Sequence, residues 1–537
     1  MLNEVFRSGE FQKDFCVHPY LIIDLSSRNV VALIVTPEGR TMPCVLKRHG
    51  MTSRYFSADI FLDPKKSQKG DEWLDELNAV ISENESDMFL RDGRLGWLRP
   101  YEMSAAEMIM PVRHPLYALS SHGITEEREE RSAFTDMSSA FLAFLLYPVV
   151  TSVREMNFHP HELNVVVAGP AYLSRLAEGI LYKVLKRMAF RRVVILNHAA
   201  ALAMHFLRLP SVQKIGVLNM DENCLHVTRM EVVRDDEDVN VAHVSTRSVK
   251  ELGWGAVRNE IAEAFYRDGL LLNRDEQVQV DMALSGLFGG MFSTNIPPDP
   301  GLRMTYRLLA EKLGGELGES LSYEASVNLM RATDELGLND ADFFVTSGSF
   351  FMSGGFENLM LNAVGKYQPA RVQRILAMER TAYGIAEMLK WIGERQSRRI
   401  TVQHNYSVRI ASEQDSSIEL VPTEVILPLK TGKKSLSVKQ ILGLDAEPGM
   451  ERDLLVVDIL WGNNLIPRYN TSLCTLSYDV TADDIRDDNM LELTFDLKGT
   501  SGGLRGEVTA ALGGRKPKPP RKLHFPKSSD MTVLSGL

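Results

Sequence analysis

The chain has few cysteines, and their spacing excludes two classes of protein. Its 537 residues include four cysteines, Cys16, Cys44, Cys224 and Cys474, without a CxxC pair or paired histidines nearby. A disulfide framework or a zinc ribbon needs cysteines at short, repeated spacings, so both are excluded. The pattern predicts reduced, mostly buried thiols and a cytoplasmic location.

An excess of basic charge is also lacking. The formal net charge is −10 and the isoelectric point is near 5.7. A general nucleic-acid binder needs a basic face for phosphate contacts, so this class is excluded. The longest apolar run, residues 140–150, is too short to span a bilayer and contains Pro148. The N-terminus lacks the basic-then-apolar order of a signal peptide. We therefore expect no membrane span and no leader.

The stretch from residue 164 to 209 organises the chain. Its apolar run VVVA (165–168) is typical of a strand buried on both faces. Apolar residues at helical spacing follow over 172–191, then a second short apolar strand at 193–196 and an alanine-rich helix at 199–209. Strand, helix, strand and helix in this order predict a parallel sheet with crossover helices.

An antiparallel meander precedes the parallel unit, and the same pattern returns after it. The first meander comprises YLIIDL (20–25), VVALIVT (30–36) and TMPCVLK (41–47). The second comprises residues 214–220, 224–233 and 239–245, followed by a strand at 343–345 and a helix at 380–393. Two α/β lobes of similar architecture, with a cleft between them, are therefore predicted.

The sequence pattern changes after Arg399 from one typical of an α/β fold to one typical of an all-β fold. Short segments that alternate apolar and polar residues predict an all-β sandwich, and the basic, proline-rich end predicts an extended, mobile tail. That tail is interpreted as solubilising, with a docking peptide or an anionic-surface contact as the alternative. The predicted division of the chain is an N-terminal extension (1–17), a two-lobed domain (18–393), a linker (394–400), a β-sandwich (401–512) and the tail (513–537).

The order of these parts resembles the 70-kDa heat-shock chaperone family, within the superfamily that also contains actin and sugar kinases. The segment VVVAGPAYL and the later NHAAALA are similar to that family's V-P-A-Y strand and its N-E-P-T-A-A-A-L-A helix. Residues 252–255 (LGWG) resemble its L-G-G turn, 345–349 (VTSGS) its V-G-G-S-S adenosine loop and 382–384 (AYG) its A-x-G-A-A helix. The resemblance covers about residues 18–512. It implies a two-lobed α/β actin-like ATPase fold followed by a β-sandwich that binds peptides.

The same resemblance implies a nucleotide site, whose motifs have changed in this chain. The first phosphate turn, D-L-G-T-T in the family, is DLSSRN here, so its glycine is lost. The second turn, D-L-G-G-G-T-F-D, is NMDENCLH, so Asn219 and His226 replace the two magnesium-side aspartates. Asp221 and Glu222 would oppose the polyphosphate at a cost on the order of several kcal/mol. The positions that correspond to nucleotide contacts are Asp24, Ser26, Ser27, Asn219, Asp221, Gly253, Ser347, Gly348 and Ser349.

These changes predict a pseudo-ATPase without catalytic residues, metal or cofactor. His198 replaces the expected glutamate, and Lys65 and Lys66 lie in no recognisable catalytic context. For residues 347–349, an ordinary strand-to-helix turn is preferred to a nucleotide contact. ATP with magnesium stays open as the alternative, with a remodelled phosphate site.

Three further features are interpreted as structural. His159 and His161 could suggest a metal, but a third ligand is missing and a surface loop is preferred. His198 and His226 could meet in the former cleft and titrate near neutral pH, but filling vacated space is preferred. Trp254 could plug the former phosphate pocket.

The junction and the end of the chain also depart from the family. Residues 395–399 (RQSRR) are basic where the family has an acidic, leucine-rich linker, and the helical lid is missing after the sandwich. We therefore expect a chaperone-like scaffold that binds an extended peptide client, a true chaperone or a J-domain-type protein. An ATP-dependent chaperone is the first alternative, and an actin-like assembly subunit the second.

Overall fold

A computed structural model describes the larger part of the chain. The described residues are 2–7, 18–25, 29–48, 51–58, 60–62, 98–99, 110–112, 128–169, 175–220, 224–235, 238–253, 256, 260, 263, 316–347, 380–394, 399–404, 407–412, 425–426, 432–438, 453–466, 470–481, 483–484, 489–500 and 503–525. Contacts between Cα atoms divide the chain into two units. One comprises Met1–Glu4, Val244–Ser248 and Gln403–Ser535, and the other comprises the remaining residues.

The secondary structure is mixed in the first part of the chain and almost entirely β in the last. The described helices are α1 (Arg128–Glu155), α2 (Arg175–Arg187), α3 (His198–Ala203), α4 (Glu316–Glu335) and α5 (Arg380–Gly393). The strands up to the middle of the chain are β1 (Leu2–Arg7), β2 (Tyr20–Asp24), β3 (Asn29–Val35), β4 (Thr41–Pro43), β5 (Leu46–Arg48), β6 (Met51–Ser53), β7 (Tyr55–Ser57), β8 (Ile60–Leu62), β9 (Leu98–Arg99), β10 (Met110–Val112), β11 (Asn164–Gly169), β12 (Arg192–Asn197), β13 (Lys214–Met220), β14 (Leu225–Asp235), β15 (Asp238–Val249) and β16 (Phe343–Ser347). The later strands are β17 (Arg399–His404), β18 (Ser407–Ser412), β19 (Val425–Ile426), β20 (Gly432–Ser437), β21 (Asp453–Gly462), β22 (Thr471–Val480), β23 (Met490–Thr500), β24 (Gly503–Leu512) and β25 (Arg521–Leu523).

The first large sheet combines an antiparallel meander with two parallel strands. Its order is β12-β11-β2-β3-β4, and β7 also pairs with β3. Strands β2, β11 and β12 run parallel, with Asp24 beside Ala168 and Val167 between Ile23 and Ile195. Every residue of β2 and β11 is buried, as expected of apolar strands covered on both faces. Helix α2 connects β11 to β12.

A second sheet repeats this strand order. Its order is β1-β17-β15-β14-β13-β16, with β13 antiparallel to β14 and parallel to β16. In both sheets the three strands of a meander lie side by side. A strand from later in the chain then pairs in parallel with the first strand of the meander, β11 with β2 and β16 with β13. The sequence interpretation assigned β17 to the C-terminal sandwich, but β17 lies in this sheet between β1 and β15. Alternation of apolar and polar residues predicts a strand, but it does not indicate which sheet the strand joins.

Helix α5 packs against the first sheet. It contacts α3 and strands β2, β3 and β11. Ala382, Ile385, Ala386 and Leu389 are among its buried residues, at the spacing of one helical face. The crossing with α3 is close at Gly384, where an added Cβ would lie 2.0 Å from the carbonyl oxygen of Ala201. Glycine is therefore required for this packing.

The C-terminal residues form two four-stranded sheets around one apolar core. Their orders are β19-β18-β21-β22 and β20-β23-β24-β25. Alternate residues of β22 and β23 are buried, including Tyr478 and Val480 in one sheet and Leu493 and Phe495 in the other. This period of two explains the sandwich, because each strand presents one apolar face to the facing sheet.

The predicted tail is attached to the sandwich, and its residues Leu523 and Phe525 pack against this core. Strand β25 pairs with β24, Leu523 is buried and the Phe525 ring meets Trp461 edge-on at 5.2 Å. The Lys518 ammonium lies 3.9 Å from the centre of the Tyr478 ring. The predicted end of the sandwich at residue 512 therefore falls short of β25, because composition reports the basic and proline residues, whereas Leu523 and Phe525 determine the packing.

We expect Leu523→Ala to destabilise the attachment of this tail by about 2 kcal/mol, the lower end for a buried leucine. Hydrogen exchange of peptides covering residues 503–525 should then accelerate by about thirtyfold. The exposed Lys516→Ala is the matched control and should leave exchange unchanged. Equal exchange rates in the wild type and Leu523→Ala would show that the tail is not held by this contact.

Candidate functional site

The residues predicted to contact a nucleotide lie in part at the ends of β2, β13 and β16. Asp24 is the last residue of β2 and is buried, and Asn219 is fully buried near the end of β13. The backbone of Ser347 pairs with that of Asn219 at the end of β16. Gly253 is buried and closes a 3-10 turn, donating its N–H to the Lys250 carbonyl at 3.0 Å.

The remaining predicted positions fall outside the described residues. These are Ser26, Ser27, Asp221, Gly348 and Ser349, together with Glu222, Trp254, Lys65, Lys66 and the linker residues 395–398. The conformation of both predicted phosphate turns therefore stays a prediction. What the structure defines is the set of strand ends from which those turns leave.

Asn219 and His226 are directly opposite each other in the β13–β14 ladder. Opposed residues of an antiparallel pair project to the same face of the sheet, so these two side chains are neighbours. Both are buried. In the described part of the chain, neither the amide nitrogen nor the amide oxygen of Asn219 has a hydrogen-bond partner. An unsatisfied buried amide costs about 1–3 kcal/mol, so the Asn219 side chain does not stabilise this strand.

The donor set at this pair does not suit magnesium. Mg²⁺ in nucleotide sites is held through carboxylates and phosphate oxygens. Asn219 and His226 offer a neutral amide and an imidazole at the two positions where the resemblance implies aspartates. Asp24 keeps its carboxylate, but it lies in the other sheet, beside Ala168.

His198 is the first residue of α3 and is fully buried. The preceding Asn197 accepts a hydrogen bond from the Ala199 N–H at 2.8 Å, and so caps the helix. The asparagine that resembles the family's N-E-P-T position therefore has a structural role here. His198 occupies the place of the expected glutamate within the apolar packing of α3.

Sequence reasoning missed a buried polar connection between α5 and β16. The guanidinium of Arg380 donates from Nη1 to the Thr346 carbonyl oxygen at 2.6 Å and to the Thr346 hydroxyl. The Arg380 carbonyl in turn lies 2.6 Å from Nε2 of His205. These residues are distant in the sequence, and no local pattern distinguishes Arg380 from a solvated arginine at a helix start. The connection anchors the start of α5 to the end of β16.

Burial lowers the pKa of His205 below its ordinary value, although the Arg380 carbonyl and Glu387 act in the opposite direction. A histidine with a lowered folded-state pKa disfavours protonation in the folded state, so stability is lost as the pH falls below about 6.5. We expect the melting temperature to fall between pH 7.5 and 5.5. His205→Gln keeps an N–H donor for the Arg380 carbonyl and should flatten this dependence.

The control for the pH experiment is His161→Gln, on an exposed 3-10 turn. It should melt with the wild-type pH dependence. If His205→Gln and His161→Gln retain the same slope as the wild type, protonation of His205 does not limit stability in this range.

The other titratable candidates do not form a site among the described residues. The rings of His159 and His161 stack at 5.5 Å, and no group of three or more potential metal ligands occurs in the described part of the chain. Cys44, Cys224 and Cys474 are free thiols. Burial raises the pKa of Cys44 to about 12, so its thiolate form is strongly disfavoured.

Comparison with known proteins assigns no family. No protein-family model matches the chain, and no curated protein matches it. Among the helices that the structure describes, none has the length and apolar character needed to cross a membrane.

Proposed function

We propose that the chain is a heat-shock-chaperone-like binding protein, in which a nucleotide-independent pseudo-ATPase body carries a β-sandwich that binds a polypeptide. The proposal includes a two-lobed actin-like fold for residues 18–393 and a peptide-binding-like sandwich for residues 401–512. A cytoplasmic location belongs to the same proposal, and the free thiols of Cys44, Cys224 and Cys474 support it.

The repeated strand order supports the two-lobed part of the proposal. The orders β4-β3-β2-β11 and β15-β14-β13-β16 match strand for strand. The predicted phosphate turns follow β2 and β13, which occupy equivalent places in the two sheets. Two equivalent turns facing a shared ligand are the arrangement that the resemblance implies.

The observation that carries nucleotide independence is the pair formed by Asn219 and His226. Both side chains are buried, and the Asn219 amide is without a hydrogen-bond partner among the described residues. A magnesium site of this type holds the ion and its water shell through carboxylates, and neither an amide nor an imidazole supplies such an anionic oxygen ligand. These residues are better suited to filling space than to holding a nucleotide.

Binding of an extended peptide is supported by the sheet edges of the sandwich. The free side of β24 is covered by β25, whereas β20 ends its sheet and, among the described strands, pairs only with β23. An edge strand can accept an added strand through its backbone N–H and C=O groups. Lys434 is half-exposed on β20, which favours a peptide with acidic residues, whereas Lys433 is already paired with Glu492 at 2.8 Å.

The test is the affinity for fluorescent, extended peptides with and without Mg-ATP. We expect an acidic peptide to bind with the same dissociation constant in both conditions, and Lys434→Glu to weaken it by about tenfold. A basic peptide of equal length is the control. Peptide release on adding ATP would contradict nucleotide independence, and failure of every peptide to bind would contradict the polypeptide-binding role.

The alternative is an ATP-dependent chaperone with a remodelled phosphate site. It is favoured by Asp24, whose carboxylate is retained at the end of β2. Under either reading the proposed partners are an unfolded or extended client, a true chaperone or a J-domain-type protein.

A further inference from the structure

Helix α4 has one face in the protein interior. Leu329 and Ala332 are buried, as is Leu336, which follows the helix. Helix α4 contacts β14, and the Leu336 carbonyl accepts a hydrogen bond from Arg229 at 3.1 Å. The helix is thus fixed to the second sheet through one side, which leaves its opposite side facing solvent.

The opposite side carries an exposed apolar stripe. Tyr323 is 73% exposed, Val327 41% and Met330 38%. Their separations of four and three residues place them on one face, one turn after another. Single exposed apolar residues are ordinary, but three in a row along one helix are characteristic of an interaction surface.

The charge of the helix is strongly acidic. Among its residues are five acids and one base, Arg331. Arg331 is neutralised by Glu335, with Nε 3.0 Å from the carboxylate. Glu324 and Asp334 are exposed, and neither forms an ion pair within the described residues; the Asp334 carboxylate accepts a hydrogen bond from the Asn339 amide at 2.7 Å. We call Tyr323, Val327, Met330, Glu324 and Asp334 the α4 face.

We propose that the α4 face binds a basic amphipathic helix of another protein. Apolar side chains of such a helix would pack between Tyr323, Val327 and Met330, and its lysines or arginines would meet Glu324 and Asp334. Tyrosine is among the residue types that contribute most to protein interfaces, and Tyr323 is the most exposed residue of the stripe. Complementary charge sets the choice of partner and speeds association.

A second copy of the chain is a poor occupant of this face. Two α4 faces in contact would bring like charges together, which is unfavourable in a partly desolvated interface. Binding of the proposed helix requires neither nucleotide binding nor the sandwich. The inference therefore stands apart from the proposed function.

The probe is a designed 18-residue peptide of leucine and lysine, with leucines at positions i, i+3, i+4 and i+7 and a fluorescent label. We expect it to bind the full chain in fluorescence anisotropy, more weakly as salt is raised. Replacing Tyr323, Val327 and Met330 together by serine should weaken binding at least tenfold. Glu324→Gln with Asp334→Asn should weaken it about threefold and reduce the salt dependence.

Two controls make the experiment specific. Met490→Ser removes an apolar residue of similar exposure, 41%, in the unit that contains residues 403–535. It should leave binding of the peptide unchanged. A peptide of the same composition with scrambled order should bind at least tenfold more weakly, since it lacks an apolar face. The substituted side chains are exposed, so thermal melting should confirm that each variant is folded.

Three results would overturn the inference. One is unchanged binding by the triple serine variant, and another is equal binding of the scrambled peptide. The third is a dimer, seen by sedimentation, that the triple variant abolishes, because the occupant would then be a second copy.

Discussion

We expect Gly384→Val to lower the free energy of unfolding of the unit that contains residues 5–243 and 249–402 by about 3 kcal/mol. The reason is the close crossing of α5 and α3, where an added Cβ would lie 2.0 Å from the Ala201 carbonyl oxygen and 3.1 Å from Cδ2 of His205. A backbone oxygen inside a helix cannot rotate away as a side chain can, so the helices must separate. Urea unfolding should show an earlier transition.

The matched control is Gly179→Ala, within α2. A Cβ at this position would have no atom within 4 Å, so the substitution meets open space. It should stabilise the unit by about 0.5–1 kcal/mol, because alanine has the higher helix propensity. If Gly384→Val unfolds at the wild-type urea concentration, α5 does not pack against α3 as described.

The second large effect is expected at Asn219, in opposite directions for two substitutions. Asn219→Val should raise the free energy of unfolding by about 1–2 kcal/mol, because it removes a buried amide that has no partner among the described residues. Asn219→Asp restores the carboxylate that the resemblance implies. It should lower stability by about 3 kcal/mol at neutral pH, because the new charge is buried.

These two variants distinguish a vestigial site from a working one. If the Asn219 amide holds a ligand or an ordered water, Asn219→Val will lose stability. If magnesium can still bind there, Asn219→Asp will regain stability when millimolar Mg-ATP is added. Either outcome would contradict the interpretation of the pair as space-filling.

Segments with a sustained period were predicted well from the sequence. The helix expected at residues 380–393 is confirmed with the same bounds, because its apolar face persists over four turns. The strand expected at 214–220 is also confirmed with the same bounds. The helix expected at 199–209 was wrong in its second half. It ends at Ala203, and a 3-10 turn then brings Phe206 into a stack with Phe343 at 5.2 Å.

Features that depend on distant partners were missed. Strand β20, GKKSLS, has too little apolar character to predict a strand, and it is held by pairing with β23. The link from Arg380 to Thr346 joins residues 34 positions apart. Asp24 and Asn219 are buried at or near the ends of the apolar strands β2 and β13, which the sequence analysis did not predict. The lack of a partner for the Asn219 amide could not be read from the sequence, since it depends on the surrounding packing.

Thermal melting of the full chain with and without millimolar Mg-ATP or Mg-ADP tests nucleotide independence most directly. A nucleotide at a hundred times its dissociation constant would stabilise the folded chain by about 2.7 kcal/mol, which would shift the melting temperature visibly. We expect the same melting temperature in all three conditions. A clear rise with either nucleotide would contradict the pseudo-ATPase proposal and would favour a working chaperone cycle.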